Sequence, residues 1–443
     1  MLRVIIFFLF LFLSQIAAAQ DSFYGQYIVR ADGFWCPASK AHRMNCPASG
    51  YSPGVKLVIV SERGEITVDS KMPEVGAVVS GVKDRCDEIA PGQPCSLNYV
   101  QRASKTPNDS LWPELWGISD SRAPKAWDTT TGSAEQIAVV IDTGINYDHP
   151  ELSGHIDARS KSIIDGSRGV DDAGHGTHVA GTICASSNNL HGIAGMNWNC
   201  KILSYKFLTA TGGGSTFHAI KAIDEATALK RAGANIAVIN ASWGGGGYSA
   251  PLEAAIREAS EAGIVFVAAA GNSAVNTDRK PHFPSSYEAP ALISVASIDR
   301  NQQLSSFSNY GEESVDLAAP GGGILSLSHI GSGYARMNGT SMAAPHVSGA
   351  VMLLKTQFPS ISAKDLRNRL LKNVKKMAQL KGKVSTQGKL DVFSAFETPQ
   401  TGTCKAVKRK KCVKCCFNTY DPKTKSRKIC KRCCALTFGC VKE

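Results

Sequence analysis

The sequence predicts an α/β body with a mainly parallel sheet, preceded by a small α+β region and followed by a basic, cysteine-rich tail. Short apolar runs of strand length alternate with helical patterns through the middle of the 443-residue chain. The fourteen cysteines form three separate clusters, each of even number. Residues 404–443 hold thirteen of the 49 lysines and arginines but two of the 37 acidic residues. The chain therefore divides into regions of different composition, and most of its net charge of +12 belongs to the tail.

Residues 1–19 have the pattern of a secretory signal peptide. Arg3 precedes an apolar run at residues 4–13, and small residues follow up to Ala19. This order of charged, apolar and small residues predicts cleavage after Ala19. The alternative is a membrane anchor, for which the apolar run is short. We therefore expect a secreted, extracellular protein that is not an integral membrane protein.

Residues 20–103 are expected to form a small α+β unit. Strands are predicted at residues 26–30, 55–60 and 65–68, around one helical candidate at residues 73–89. The unit carries four cysteines, an even number that is typical of local disulfide pairing in exported proteins. They are Cys36, Cys46, Cys86 and Cys95.

Residues 104–398 are expected to form the α/β body. The predicted strands lie at residues 136–141, 236–239 and 263–269. The predicted helices lie at residues 217–232, 251–262 and 344–357. Strands that are apolar throughout, rather than at alternate positions, are typical of parallel sheets buried on both faces. A hydrophobic fraction of 43% and a charged fraction of 19% exclude a disordered chain.

Residues 399–443 turn basic and cysteine-rich, with no helical or strand periodicity. Eight cysteines fall in this tail, and Cys412–Cys415 and Cys430–Cys433 repeat a two-residue spacing that resembles a zinc ribbon. An exported chain favours disulfides over zinc at such a spacing. The excess of cations predicts either a polyanion partner, such as an acidic glycan or surface, or a plain solvated appendage.

Three segments of the body carry candidate catalytic residues. Asp142 ends an apolar strand and precedes a Thr-Gly pair, which places its carboxylate at the carboxyl edge of a parallel sheet. His175 stands in a Gly-His-Gly-Thr-His segment rich in small residues. Ser341 stands at a predicted helix start, where free N–H groups and the positive end of the helix dipole favour an oxyanion.

The order Asp, His, Ser along the chain, together with these segments, resembles the signatures of the subtilisin-like serine proteases. A fourth segment, Ala-Ala-Ala-Gly ending in Asn272, resembles the one whose amide completes their oxyanion hole. The resemblance implies a three-layer subtilisin-like fold and a serine-type endopeptidase. It implies that Ser341 attacks the carbonyl, that His175 transfers the proton, that Asp142 orients His175, and that Asn272 stabilises the oxyanion.

The resemblance also implies a substrate-binding cleft in which a peptide pairs as a strand between two segments. These contain Gly212, Gly213 and Gly214 in one and Ser242, Trp243 and Gly244 in the other. The alternative interpretation of these segments is a flexible glycine-rich turn. His282 is a candidate for the floor of the primary specificity pocket, and its alternative is an incidental loop histidine.

Further expectations follow from the family. The resemblance implies that the chemistry requires no cofactor. It allows a structural calcium ion at Glu151, but the associated loop at residues 186–192 is one residue longer than the usual form. Residues 20–103 resemble an inhibitory propeptide in position and size, removed near residues 99–105 of an autoprocessed zymogen. Cys184 and Cys200 are expected to pair. The alternative function is a catalytically silent, protease-like binding protein that retains its prodomain.

Overall fold

The computed structural model describes residues 105–397 and, before them, the backbone of six strands between residues 22 and 99. The chain separates into two compact units, Met1–Ala103 and Ser104–Glu443. The expected signal peptide, the helical candidate at residues 73–89, the four N-terminal cysteines' pairing and the basic tail lie outside the described residues. None of the described helices is long and apolar enough to cross a membrane.

The first unit contains a four-stranded antiparallel sheet in the order β5-β4-β1-β6. Its strands are β1 (Ser22–Val29), β4 (Val58–Ser61), β5 (Ile66–Thr67) and β6 (Cys95–Tyr99). A separate pair is formed by β2 (Phe34–Trp35) and β3 (Tyr51–Ser52). The three strands predicted from sequence overlap β1, β4 and β5.

The second unit is built on a nine-stranded sheet in the order β16-β17-β13-β12-β11-β10-β7-β9-β8. All neighbours are parallel except β16 and β17. The strands are β7 (Gly132–Asp142), β8 (Lys161–Ser162), β9 (Asn199–Lys206), β10 (Ile236–Ala241), β11 (Val265–Ala269), β12 (Leu292–Ile298), β13 (Leu317–Pro320), β16 (Lys375–Lys376) and β17 (Gly388–Lys389). A hairpin of β14 (Ile324–Leu327) and β15 (Tyr334–Met337) stands apart from this sheet.

Helices cover both faces of the sheet, giving the three-layer α/β fold that the sequence predicts. They are α1 (Trp116–Asp120), α2 (Ala123–Trp127), α3 (His175–Cys184), α4 (Thr216–Arg231), α5 (Ala250–Glu261), α6 (Thr340–Gln357), α7 (Ala363–Lys372) and α8 (Val392–Glu397). The core on one face includes α3 and α6, and the core on the other includes α4 and α5. Every residue of β10, β11 and β12 is buried, as expected of strands covered on both sides.

Helix α6 begins at Thr340, four residues before the predicted start at residue 344. The residue before it, Gly339, has no side chain to cap the helix. Instead, the Thr340 N–H donates to Oδ1 of Asn272 at 2.8 Å, from a loop 68 residues away. The cap of this helix is thus a tertiary contact rather than a local side-chain bond.

Candidate active site

Three neighbouring strands end at one edge of the sheet and bring the candidate residues together. Strand β7 ends at Asp142, strand β10 ends just before Ser242, and strand β11 ends three residues before Asn272. Helices α3 and α6 contact each other on one face of this sheet and begin with His175 and with Thr340-Ser341. The candidate residues thus lie at the carboxyl edge of the parallel sheet, where open α/β sheets place their sites.

Asp142 and His175 form a hydrogen-bonded pair. Nδ1 of His175 lies 2.8 Å from Oδ1 of Asp142, and the same oxygen accepts the N–H of Thr143 at 2.7 Å. The Asp142 side chain is fully buried, whereas 29% of the His175 side chain is exposed. A buried carboxylate on Nδ1 makes this nitrogen the protonated one and leaves Nε2 as the free base.

The pKa of His175 is raised above its ordinary value of 6.5. Burial acts to lower it, because it disfavours the imidazolium. The charge of Asp142, its hydrogen bond and the charge of Asp171 together outweigh this effect. The site therefore stabilises the imidazolium that forms when His175 accepts a proton.

Asp171 is a buried carboxylate behind this pair that the sequence analysis missed. Its Oδ1 accepts the Thr143 hydroxyl at 2.7 Å and the Gly174 N–H at 2.8 Å, and its Oδ2 accepts the Thr177 N–H and hydroxyl at 2.9 and 2.6 Å. Burial alone would raise the pKa of Asp171, but these hydrogen bonds lower it. The sequence signal that could have indicated Asp171 is an acidic residue four positions before His175, just ahead of a helix start.

Ser341 is the second residue of helix α6, so its backbone N–H has no acceptor within the helix. Its hydroxyl donates to the carbonyl oxygen of Ser242 at 2.9 Å rather than to His175. Pro345, four residues on, has no N–H for the Ser341 carbonyl. That carbonyl accepts the Ser242 hydroxyl instead, at 2.7 Å. Two hydrogen bonds therefore hold the start of α6 against the end of β10.

Asn272 is exposed, and its amide is oriented by Thr340. Both the N–H and the hydroxyl of Thr340 donate to Oδ1 of Asn272, at 2.8 and 2.9 Å. The Thr340 hydroxyl oxygen in turn accepts the Gly271 N–H at 3.1 Å. With its oxygen occupied in this way, the amide presents its NH₂ group as the free donor beside Ser341.

The two predicted substrate segments border this site. All three glycines of the first segment are exposed. A Cβ on Gly214 would lie 2.8 Å from the Phe207 carbonyl oxygen, so a side chain there would force its surroundings to shift. In the other segment, Trp243 packs against Phe207 with ring centroids 4.8 Å apart. Its indole N–H meets no acceptor among the residues that the structure describes. Trp243 thus packs between the two segments.

His178 and His346 are buried and stand apart from the chemistry. Nε2 of His178 lies 3.0 and 3.1 Å from the carbonyl oxygens of Ile324 and Ala335, and Nδ1 of His346 lies 2.9 Å from that of Met342. Burial lowers the pKa of each to about 4. Both are therefore neutral packing residues.

Two buried carboxylates on the second unit fit a cation. Glu151 is 1% exposed and Asp109 is 3% exposed, and Oδ1 of Asp109 has no hydrogen-bond partner within residues 105–397. Burial raises the pKa of both, and the charge of Asp109 raises that of Glu151 further. Such a pair of oxygen ligands suits calcium. Asp109 gave no signal in the sequence, because its partners lie 40 or more residues away.

Cys184 and Cys200 form a disulfide, as expected, with their Cα atoms 6.1 Å apart. The bond joins the end of helix α3 to the beginning of strand β9. Nδ1 of His155 lies 3.5 Å from the sulfur of Cys184. The bond fixes the far end of the helix that begins with His175.

Comparisons with known proteins agree with this architecture. The model of the subtilase family matches residues 133–389. The chain is 41% identical over 261 residues to a thermophilic serine proteinase of Bacillus sp. (strain AK1), covering 59% of this chain and 62% of that relative. It is 40% identical over 258 residues to thermitase of Thermoactinomyces vulgaris, covering 58% of this chain and 88% of thermitase.

Among solved structures, a protease of Pseudoalteromonas arctica PAMC 21717 superposes with a TM-score of 0.59 and 31% identity, over 66% of this chain and 98% of that one. The chain spans less than two thirds of the Bacillus relative but most of thermitase and of this structure. The family match covers more than half of the chain. The chain therefore belongs to the subtilase family.

Proposed function

We propose that this chain is a secreted serine endopeptidase that hydrolyses peptide bonds through Asp142, His175 and Ser341. The observation that carries the proposal is the 2.8 Å hydrogen bond from His175 Nδ1 to the buried Asp142 carboxylate, at the sheet edge where Ser341 begins a helix. The printed names of its relatives, a serine proteinase and thermitase, support the same activity. A binding protein would need none of these residues in this arrangement.

In the proposed reaction, Ser341 Oγ attacks the carbonyl carbon of the scissile bond. Its hydroxyl first turns from the Ser242 carbonyl toward Nε2 of His175, which takes the proton. Asp142 holds the imidazole in the tautomer that leaves Nε2 free and stabilises the imidazolium. His175 then returns the proton to the leaving amine, and water repeats the cycle on the acyl enzyme.

The negative charge that develops on the carbonyl oxygen needs donors held in place beforehand. The Ser341 N–H, free at the helix start, and the NH₂ group of Asn272 supply them. Because Thr340 fixes Oδ1 of Asn272, the donor needs no reorganisation when the charge forms. The substrate pairs as a strand with the segments of Gly212–Gly214 and Ser242–Gly244, where the glycines permit close backbone approach.

Replacing the nucleophile tests the activity. We expect Ser341→Ala to abolish peptide hydrolysis and labelling by a fluorophosphonate, which reacts with an activated serine. Ser133→Ala, at the opposite edge of the sheet, is the matched control and keeps both. Hydrolysis that survives in purified Ser341→Ala would overturn the proposal.

The chain is proposed to be made as an autoprocessed zymogen, with residues 20–103 as its inhibitor. One nucleophile would serve both reactions, so purified Ser341→Ala should remain uncut near residues 99–105. No cofactor takes part in this chemistry. Asp109 and Glu151 would hold a structural calcium ion, which neutralises their buried charges and supplies stability rather than catalysis.

The tail is proposed to bind a polyanion, such as an acidic glycan or an anionic surface. Its cations support this, since thirteen lysines and arginines lie within residues 404–443. We expect the full chain to elute from a heparin column at higher salt than a variant ending at Pro399, because salt screens the attraction. Equal elution of the two would contradict anchoring by the tail.

A further inference from the structure

The imidazole of His282 lies between two backbone segments that border the candidate site. An ideal Cβ on Gly244 would lie 2.2 Å from Cε1 of His282, and one on Gly271 would lie 2.9 Å from its Nε2. The His282 loop is tied to the first segment, since the Gly245 N–H donates to the Phe283 carbonyl at 2.9 Å. The Nε2 edge of the ring therefore fills the gap between the two glycines.

This gap is where the proposed reaction places the side chain before the scissile bond. The attacked carbonyl carbon would lie beside Ser341 Oγ, with its oxygen beside the amide of Asn272. The side chain of the residue before the scissile bond branches from the α-carbon next to this carbonyl. We place it between the segment that ends at Gly244 and the segment that leads through Gly271 to Asn272, since these two segments flank Ser341 and the Asn272 amide.

The Ser285 hydroxyl is the hydrogen-bond partner of the His282 ring. It lies 2.8 Å from the carbonyl oxygen of His282, which also accepts the Ser286 N–H at 2.9 Å, and 3.2 Å from Nδ1. In the tautomer in which Nδ1 donates to this hydroxyl, Nε2 is a bare acceptor.

His282 is neutral in the range where a serine peptidase works. Burial lowers the pKa of His282 below 6.5, and no charged side chain of the described residues contributes to this shift. The hydrogen bonds found for the ring among residues 105–397 use Nδ1, so Nε2 is available to a ligand. The position thus offers one hydrogen-bond acceptor between the two segments.

We propose that His282 selects the residue before the scissile bond, favouring a short side chain that carries an N–H or O–H donor. Glutamine and asparagine would donate to Nε2, whereas the apolar side chains of similar size, methionine and leucine, would leave it unpaired. The ring also limits the depth of the pocket, which disfavours phenylalanine and tyrosine. This inference rests on the proposed peptidase activity.

The test compares peptides that differ at this one residue, by kcat/KM at pH 8. We expect the mature enzyme to cleave the glutamine peptide about 2- to 12-fold faster than the methionine peptide, the effect of one net hydrogen bond. His282→Phe, which keeps the gap filled without an acceptor, should reduce this ratio to about one. His282→Ala should lose the ratio as well and gain activity on phenylalanine peptides.

Two controls separate the possible failures. His218→Phe makes the same chemical change on helix α4 and should keep the wild-type ratio. Fluorophosphonate labelling of Ser341 reports whether each variant retains a folded site. A glutamine-to-methionine ratio near one in the wild type, or an unchanged ratio in well-labelled His282→Phe, would overturn the inference while leaving the peptidase activity standing. Failure of the peptidase proposal would look different, since no peptide would be cleaved and Ser341 would not be labelled.

Discussion

Asp171 connects the end of strand β7 to the beginning of helix α3. The Thr143 hydroxyl donates to Asp171 and accepts the Gly176 N–H at 2.9 Å. Thr143 directly follows Asp142, and it is therefore bonded to one residue before and one residue after His175 in the sequence. Asp171 also accepts the N–H of Gly174, the residue before His175. The carboxylate thus fixes the positions of Asp142 and His175 relative to each other.

We predict that Asp171→Asn shifts the acid limb of kcat/KM to lower pH. The charge of Asp171 helps to raise the pKa of His175, so removing it makes the imidazole easier to deprotonate. The variant should also lose about 2 kcal/mol of unfolding free energy at pH 7, because a hydrogen-bonded buried charge is lost. The pKa of Asp171 is lowered in the folded state, so this loss should fade as the pH falls through its titration range.

Asp172→Asn is the matched control for this charge. Asp172 is 49% exposed and pairs with Lys206, and it is not among the groups that shift the pKa of His175. Its variant should leave the acid limb in place. If Asp171→Asn lowers stability but leaves the acid limb unmoved, Asp171 has a structural role alone.

Residues within a local motif could be predicted from the sequence, and residues defined by distant partners could not. Asp142, His175, Ser341 and Asn272 each stand in a short segment that resembles a family signature, and the structure brings their elements to one edge of the sheet. The acceptor role of His282 depends on how Gly244 and Gly271 approach its ring. No spacing along the chain encodes that approach.

At the scale of secondary structure, the interior proline of α6 has a definite effect. Pro345 leaves the Ser341 carbonyl without a helical donor, and the Ser242 hydroxyl takes its place. The Ser341 hydroxyl in turn donates a hydrogen bond to the Ser242 carbonyl. The break in the helix ladder therefore links Ser341, the proposed nucleophile, to the segment that is proposed to bind substrate.

The same scale shows which elements the sequence determines. The sequence predicts strands β7, β10 and β11 to within a few residues of their observed ends, because a short, fully apolar run is typical of a strand buried on both faces. The two-residue strands β16 and β17 were not, since each exists only through pairing with a distant partner. The Cys184–Cys200 bond closes a loop of sequence separation 16, which stabilises the fold by about 3 kcal/mol on chain-entropy grounds.

At the scale of the whole second unit, the carboxylates of Asp109 and Glu151 bring together parts of the chain that are far apart in sequence. Asp109 precedes α1 and accepts the Asn188 N–H at 2.7 Å, and Glu151 accepts from Asn189 at 3.3 Å and from Tyr334, on strand β15, at 3.1 Å. A cation there would neutralise two buried charges and fasten these segments together.

We predict that calcium raises the free energy of unfolding by about 2.7 kcal/mol at one hundred times its dissociation constant, relative to EDTA. Thermal unfolding is best measured in the Ser341→Ala background, where autolysis cannot interfere. Glu151→Gln and Asp109→Asn should lose the calcium increment, whereas Asp148→Asn, an exposed neighbour, should retain it. Without calcium, the raised pKa of Glu151 stabilises the folded state at low pH, and this stability is lost as the pH rises through that pKa. On acidification, the free energy of unfolding of the Ser341→Ala protein should therefore increase more than that of its Glu151→Gln variant. Identical unfolding midpoints in calcium and in EDTA would show that no cation binds between these carboxylates.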